Sequence, residues 1–289
     1  MPMLLIKGEY KIVGASPDGD SVRFYPHNPD EWDLVPGRAV HRNHAGGAQL
    51  RLDGIDTLET HYRPPHGPEL HQPPPFAAQA AAELLTWLGF EDVERDLKGI
   101  VTHCAHDGRP GYILTRNADT YGRCVALAGR GDPDLGDSGE SVSVDVAAMK
   151  QTVNYHQLTE GMAYPTFYRN LFVDLRKAMA EAVVDARGAQ KGLWPKDVTQ
   201  SGAKHVDLDS LTGDSVLMPK LFRRLADYLI LNDGSSSLAG FRAYLEQRDD
   251  RLFVISTGQS TGFGTVVDVF NGNSVKLTHP PEDLVFDEK

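Results

Sequence analysis

The sequence predicts a mainly β protein with helices, of the α+β class, followed by a small second α+β unit. Short apolar segments bounded by Gly, Pro, Asn and Asp recur over residues 9–130, which is typical of strands and turns. Two segments, 76–90 and 170–194, have apolar residues at helical spacing. A change of composition over 195–214 separates these elements from the remainder of the chain.

The composition limits the kind of protein this is. The chain has 289 residues and a formal net charge of −11, which fits one large domain or two smaller ones. No apolar run is long enough to span a membrane, and the N-terminus lacks the apolar core of a secretory signal, so we expect a cytoplasmic protein without a membrane partner. Cys104 and Cys124 are expected to be buried small residues. The acidic balance argues against general polyanion binding.

The first elements follow from turn residues and periodicity. Residues 9–26 predict two short strands joined by a Pro-Asp-Gly turn, and 27–48 predict an irregular insertion. Residues 49–55 predict the next strand. The proline-rich stretch 61–75 predicts a surface loop, and the Ala- and Leu-rich stretch 76–90 predicts a helix.

The middle of the chain continues this pattern. Residues 99–106 and 121–129 predict strands, and the segment between them receives no assignment. Residues 131–141 predict an acidic loop. A short helix is predicted over 153–163 and a long amphipathic helix over 170–194.

We therefore divide the chain into a first domain over 1–196, a linker over 197–213 and a C-terminal domain over 214–289. The C-terminal domain is predicted to contain two helices, a strand and an Asn-Gly hairpin, over 219–232, 237–248, 251–256 and 264–279.

The first C-terminal helix has an apolar stripe and a charged pair. Phe222, Leu225 and Leu229 share one face, and Arg223 and Arg224 are expected on a solvated face. If the apolar stripe is exposed, it predicts a partner or self-association surface; if it is buried, that interpretation is weakened.

Charged residues converge at the end of the strand in "LRLDGIDTLET", residues 50–60. Asp18 and Asp20 lie across a tight turn, and Arg123 follows a Tyr-Gly pair. Carboxylates that lie close together repel one another unless a cation holds them, and hard divalent cations prefer oxygen ligands. Arginine matches phosphate oxygens in a bidentate fork. These residues are the parts of a metal-dependent phosphodiester hydrolase.

The order and spacing of these motifs resemble the staphylococcal nuclease (thermonuclease) family across about residues 9–194. The resemblance rests on the D-G-D turn, the R-x4-D-T-x-E run, the Y-G-R strand, the V-N…G-M-A helix and the long helix that ends in K-G-L-W. It implies an OB-type five-stranded β-barrel capped by helices.

The resemblance also implies a metal site. Asp20 and Asp56 would bind Ca²⁺ through their side chains, and Thr57 would bind it through its carbonyl oxygen. Mn²⁺ and Mg²⁺ remain open as alternatives.

The catalytic roles are likewise implied by the family. Glu59 would act as general base on the attacking water, while Arg51 and Arg123 would stabilise the phosphate in the transition state. The substrates would be DNA, RNA or both, cleaved by endonuclease or exonuclease action to leave 3′-phosphates.

Three tyrosines, Tyr121, Tyr164 and Tyr168, are candidates for contact with the substrate on the same resemblance. Packing against the barrel is an equally good interpretation of Tyr164 and Tyr168.

Strict strand alternation would put Arg51 and Asp56 on opposite faces. We therefore expect a bulge or local twist at Gly54, with Asp53 facing solvent.

The alternative function is a non-catalytic module that binds nucleic acid or protein. A further alternative gives the main role to the C-terminal domain, as a partner or self-association interface.

Overall fold

The computed structural model describes residues 1–288, so the last residue of the predicted C-terminal domain lies outside the description. Sixteen strands are present in this part of the chain: β1 (Pro2–Tyr10), β2 (Arg23–Pro26), β3 (Ala48–Leu52), β4 (Ile55–Asp56), β5 (Glu94–Arg95), β6 (Val101–His103), β7 (Arg109–Ala118), β8 (Cys124–Arg130), β9 (Ser141–Ser143), β10 (Tyr164–Pro165), β11 (Phe167–Tyr168), β12 (Arg251–Val254), β13 (Gln259–Gly262), β14 (Val267–Phe270), β15 (Ser274–Leu277) and β16 (Leu284–Phe286). Seven α-helices accompany them: α1 (Pro74–Trp87), α2 (Val146–Met149), α3 (Val153–Thr159), α4 (Val173–Gly188), α5 (Leu208–Gly213), α6 (Pro219–Leu231) and α7 (Phe241–Arg248).

Five strands close into a barrel. The order of hydrogen-bonded neighbours is β2, β3, β8, β7 and β1, and β1 pairs with β2 to complete the ring. All neighbouring pairs in the ring are antiparallel except β3 with β8. The prediction of an α+β protein with a five-stranded barrel is confirmed at this level.

The barrel strands differ from the predicted ones in two places. β1 begins at Pro2 rather than near residue 9, and its first residues also pair with β9. β7 lies between the two predicted strands 99–106 and 121–129, in a segment for which no strand was predicted. It pairs with both β1 and β8. Its residues 111–115 are all buried, so β7 lacks the alternation of buried and exposed residues that identifies a half-buried strand.

Buried apolar and aromatic side chains fill the barrel. Tyr10, Phe24 and Trp32 pack edge to face in this core, with ring centroids 5.1 and 6.2 Å apart along the series. Trp32 comes from a 3₁₀ turn inside the predicted irregular insertion. Cys104 and Cys124 are buried, as expected.

The C-terminal region packs onto the first region and is continuous with it. β16 pairs in parallel with β11, so the sheet that contains β12 and β13 also contains a strand from the first region. Residues 197–213, predicted as a linker, contain α5 and pair through Ala203 with Val275 of β15.

Phe222, Leu225 and Leu229 of α6 are fully buried, which weakens the interpretation of this stripe as an exposed interface. Within residues 1–288, no helix is long and apolar enough to cross a membrane.

Candidate active site

A loop and a short strand bring the predicted acidic residues together at one side of the barrel. Asp20 lies in the connection between β1 and β2, and Asp56 lies in β4. The Asp20 carboxylate accepts a hydrogen bond from the backbone N–H of Thr57, at 3.0 Å, which joins the two segments. Both carboxylates are buried. Burial, together with the negative charges of Asp18 and Asp56, raises the pKa of Asp20 well above its usual value.

The turn between β3 and β4 gives Asp56 its orientation. Gly54 has a φ of 78°, in the left-handed region that favours glycine. The departure from a regular strand that was expected at Gly54 is a turn between β3 and β4. Asp53 is half-buried rather than fully exposed, and its backbone oxygen accepts a hydrogen bond from the Asn154 side chain.

Helix α3 holds both segments through two buried amide side chains. Asn154 donates to the backbone oxygens of Asp53 and Ala126, at 2.9 and 3.0 Å. Gln157 donates to the backbone oxygens of Gly19 and Ala80, at 2.8 and 2.9 Å. Because each amide bridges separate segments, α3 fixes the position of the Asp20 loop relative to the turn that carries Asp56.

Arg51 lies at the end of β3, beside this acidic pair. Its guanidinium lies over the Tyr168 ring, 5.9 Å from the ring centroid. Burial lowers the pKa of Arg51, but the carboxylates of Asp56 and Asp20 outweigh this effect and raise it overall. Arg51 is therefore a permanent positive charge close to the two carboxylates.

Arg223 of α6 enters the same cluster, and sequence reasoning did not assign it to the site. Its Nη2 lies 2.6 Å from Asp56 Oδ2, its Nη1 lies 3.3 Å from Asp56 Oδ1, and Nη1 also donates to the Glu59 carboxylate. The side chains of Arg223 and Arg224 are only 21% and 15% exposed, so the prediction of a solvated face was wrong. A charged face is buried here because each guanidinium meets a carboxylate, Asp56 and Glu59 for Arg223 and Asp250 for Arg224.

Asp56 and Glu59 differ in the direction of their pKa shifts, although Arg223 contacts both. Burial alone would raise the pKa of Asp56, but Arg223 and Arg51 lower it below its usual value. The pKa of Glu59 is raised, by burial first and then by the charge of Asp56, despite the nearby Arg223. Asp56 is therefore the fixed anion of the pair, and Glu59 is the carboxylate that takes up a proton more readily.

Gln72 ties Glu59 to the C-terminal region. The Gln72 side-chain oxygen accepts a hydrogen bond from the Glu59 backbone N–H at 3.2 Å. Its amide nitrogen donates to the Leu217 backbone oxygen at 2.8 Å. Gln72 is fully buried, so this bridge fixes the loop after β4 against the start of α6.

Arg123 pairs with an acidic residue of its own turn. Among residues 1–288 its ion-pair partner is Asp119, with an Nε–Oδ2 distance of 2.7 Å. The guanidinium also lies over the ring of Tyr121, 5.7 Å from the centroid. Tyr121 is exposed and Arg123 is half-buried, and the two side chains form a pair in the turn before β8.

The other two predicted tyrosines have different surroundings. Tyr164 is fully buried, donates its hydroxyl hydrogen to Asp197 at 2.7 Å and packs edge to face against Trp194. This burial favours the packing interpretation for Tyr164. Tyr168 is half-buried and lies beneath Arg51, at the border of the cluster.

The residues predicted to bind a metal do not fit a divalent cation in this conformation. Both oxygens of Asp56 lie against Arg223, and one oxygen of Asp20 accepts the hydrogen bond from Thr57. In the described part of the chain, no three side chains of His, Cys, Asp or Glu are grouped so that they could hold a metal ion. The positive charge between Asp56 and Glu59 is supplied by a guanidinium.

The sequence contains a pattern around Arg223, Asn154 and Gln157, which were not predicted as site residues. Lys220, Arg223, Arg224 and Asp227 recur at the spacing of one helix face, opposite the apolar stripe of α6. Such a charged face is normally solvated, so the pattern becomes informative only once the partner carboxylates are known. Asn154 and Gln157 lie in the V-N…G-M-A motif, which was noted without a role for either residue.

No protein-family model matches this chain, and no curated protein matches it significantly.

Proposed function

We propose that this chain is a phosphodiester hydrolase acting on DNA, RNA or both, with its site at the acidic cluster beside the barrel. The observation that supports this most directly is the meeting of Asp20, Asp56 and Arg51, which come from separate segments and interact through their charges. Glu59 lies in the same cluster, joined to Asp56 through Arg223.

The barrel supports the OB-type part of this proposal. Numbered along the chain, the barrel strands β1, β2, β3, β7 and β8 are strands 1 to 5. Around the barrel they follow the order 1-2-3-5-4, and strand 4 pairs with strand 1. This order is compatible with the five-stranded Greek-key barrel of OB-folds, many of which bind oligonucleotides.

The proposed chemistry uses the chain's own residues as follows. Glu59 accepts a proton from water, the water oxygen forms a bond to phosphorus, and the bond from phosphorus to the 5′-oxygen breaks. The products are a 3′-phosphate and a 5′-hydroxyl, whose proton comes from solvent. The raised pKa of Glu59 suits a general base, and Arg51 offsets the charge that develops on the phosphate oxygens.

Two parts of this scheme require motion. The ion pair between Arg223 and Glu59 must open, because it neutralises the carboxylate that acts as the base. Arg123 would contact the same phosphate, and its pairing with Asp119 must then allow its guanidinium to turn toward Arg51. We assign no step to Ca²⁺, because the residues do not fit it in this conformation.

The alternative function, a non-catalytic nucleic-acid or protein-binding module, is favoured by one observation. Arg223 already neutralises Asp56 and Glu59, which is the state expected if these residues serve structure alone.

The deciding experiment is hydrolysis of end-labelled single-stranded DNA and RNA, with millimolar Ca²⁺, Mn²⁺ or Mg²⁺ and with chelator. We expect cleavage that leaves 3′-phosphates and falls by about 100-fold or more in Glu59→Gln, the usual size of a general-base contribution. Arg51→Ala and Arg123→Ala test the two phosphate contacts. Glu181→Gln, at an exposed position of α4, is the matched control and should cleave like the unmodified protein. Folded protein that binds these oligonucleotides without cleaving them would favour the alternative.

A further inference from the structure

We propose that Arg223 is a built-in occupant of the cation position in the candidate site, so that helix α6 keeps the site closed. A divalent cation would then bind Asp56 only when the guanidinium is withdrawn. This inference rests on the proposed function for the identity of the site, and it adds a way in which the chain restrains that site.

The geometry of the guanidinium carries the inference. Arg223 uses both terminal nitrogens on Asp56, at 2.6 and 3.3 Å, and one of them also contacts Glu59. Oxygen ligands of this type are the ones that a hard divalent cation requires. A cation and the guanidinium would have to share the same carboxylate oxygens, so their binding is mutually exclusive.

The charges in the cluster lead to the same conclusion. Asp20, Asp56 and Glu59 provide at most three negative charges, and Arg51 and Arg223 provide two positive charges. Adding a divalent cation while Arg223 stays would leave an excess positive charge in a buried place, which is costly. Withdrawal of Arg223 restores the negative charge that a cation needs.

Helix α6 is fastened to the loop that follows the site. The Tyr62 hydroxyl donates to Asp227 of α6 at 2.8 Å, and its ring packs edge to face on Phe222 at 6.0 Å. Gln72 bridges Glu59 to Leu217, just before the helix. The closed arrangement is therefore supported by several contacts besides the ion pair, and we infer that it is the resting state.

The neighbouring arginine provides a matched comparison. Arg224 is on the same helix and is also largely buried, but it pairs with Asp250, with an Nε–Oδ2 distance of 2.5 Å. The Arg224→Gln variant therefore shows the effect of losing a buried arginine outside the site, and the Arg223→Gln variant shows the effect of losing the one inside it.

The test measures Ca²⁺ binding by calorimetry to the full chain and to the Arg223→Gln, Arg223→Lys and Arg224→Gln variants. We expect Arg223→Gln to bind Ca²⁺ about tenfold or more tightly than the unmodified chain, because the competent state no longer has to be freed of the guanidinium. Arg224→Gln should bind like the unmodified chain. Thermal unfolding gives a second readout, in which Ca²⁺ raises the melting temperature of Arg223→Gln and leaves that of the unmodified chain almost unchanged.

Equal Ca²⁺ affinity in the unmodified chain and Arg223→Gln would overturn the inference, and so would the absence of binding in both. If Arg223→Gln does not fold, Arg223→Lys decides the matter. Lysine cannot contact both oxygens of Asp56 as the guanidinium does, so Arg223→Lys should bind Ca²⁺ more tightly than the unmodified chain. Equal affinity in the two proteins would overturn the inference.

The same samples separate this inference from the proposed function. Arg223→Gln protein that binds Ca²⁺ tightly but never cleaves nucleic acid would contradict the function and leave the inference standing. If the unmodified chain cleaves nucleic acid and binds Ca²⁺ as tightly as Arg223→Gln does, the function is supported and the inference is contradicted.

Discussion

Arg223 and Asp56, 167 residues apart in the chain, form a two-pronged ion pair at the side of the β-barrel. Nη2 to Oδ2 measures 2.6 Å and Nη1 to Oδ1 measures 3.3 Å. Asp56 is almost fully buried, and Arg223 has only a fifth of its side chain exposed. The pair joins the predicted catalytic region to the C-terminal region, so the stability of one depends on the other.

Removing one partner of this pair should be strongly destabilising. We expect Asp56→Asn to lower the free energy of unfolding by about 3–5 kcal/mol, because Arg223 would keep its buried charge and lose its main partner. Urea unfolding at neutral pH measures this change. Asp33→Asn is the control, since Asp33 is 72% exposed in its pair with Arg42 and should cost about 1 kcal/mol or less. Similar losses in the two variants would contradict the expected role of burial.

Gly54 should resist replacement more than an open glycine with a similar backbone. A Cβ at Gly54 would lie 2.9 Å from Met179 Sδ and 3.1 Å from Leu171 Cδ2, whereas a Cβ at Gly14 meets nothing within 4 Å. Gly54 and Gly14 have φ angles of 78° and 73°. Replacing either by alanine should lower the free energy of unfolding by about 1–2 kcal/mol, because alanine disfavours this left-handed conformation. Overpacking should add about 1 kcal/mol or more to Gly54→Ala. Chemical denaturation of the two variants compares them directly, and equal losses would argue against the packing contribution.

Tyr164 should behave as a core residue rather than a substrate contact. Tyr164→Phe removes the hydrogen bond to Asp197, which keeps its bonds from the Thr199 backbone N–H and hydroxyl. We expect a loss of about 1–2 kcal/mol in the free energy of unfolding and unchanged affinity for oligonucleotides. Tyr121→Phe, at an exposed tyrosine, should leave stability unchanged. Weaker oligonucleotide binding by Tyr164→Phe at full stability would instead restore the substrate role.

Asp53 should make stability fall as pH rises through the mildly acidic range. Burial and the negative charge of Glu288 raise the pKa of Asp53 to about 6 in the folded protein, against an ordinary value of 3.8. The folded protein therefore binds this proton more tightly than the unfolded chain does, and the stabilisation is lost between these two values as the carboxyl ionises.

The Asp53→Asn variant isolates this effect. Relative to the unmodified chain, its free energy of unfolding should improve steadily from pH about 4 to about 7 and then stay level. Urea unfolding across this range measures the difference, in which contributions from other carboxyl groups cancel. A difference that does not change with pH would exclude the raised pKa.

Local patterns were sufficient for much of the fold. The helix over 76–90, the Asn-Gly hairpin near residue 271 and the irregularity at Gly54 followed from periodicity and turn residues. The spacing from Arg51 to Glu59 was enough to indicate a charged cluster at the end of β3. Each of these features is set by residues close together in the chain, so a short window of sequence contains its cause.

Other features depend on segments that are distant in the chain. β7 is buried on both sides by its neighbours, so its sequence carries no alternation of the kind that identifies a half-buried strand. Tyr164 was a candidate for substrate contact until its burial against Trp194 placed it in the core.

The sequence alone determined that Asp20, Arg51, Asp56 and Glu59 form a charged cluster on the barrel side, because their order and spacing lie in short motifs. Only the tertiary structure decided that Arg223 lies between Asp56 and Glu59. An arginine on an amphipathic helix is normally solvated, and it is buried only where folding brings carboxylates to meet it. The electrostatics of the candidate site are therefore set by a contact between residues more than 160 positions apart in the chain, which no local pattern contains.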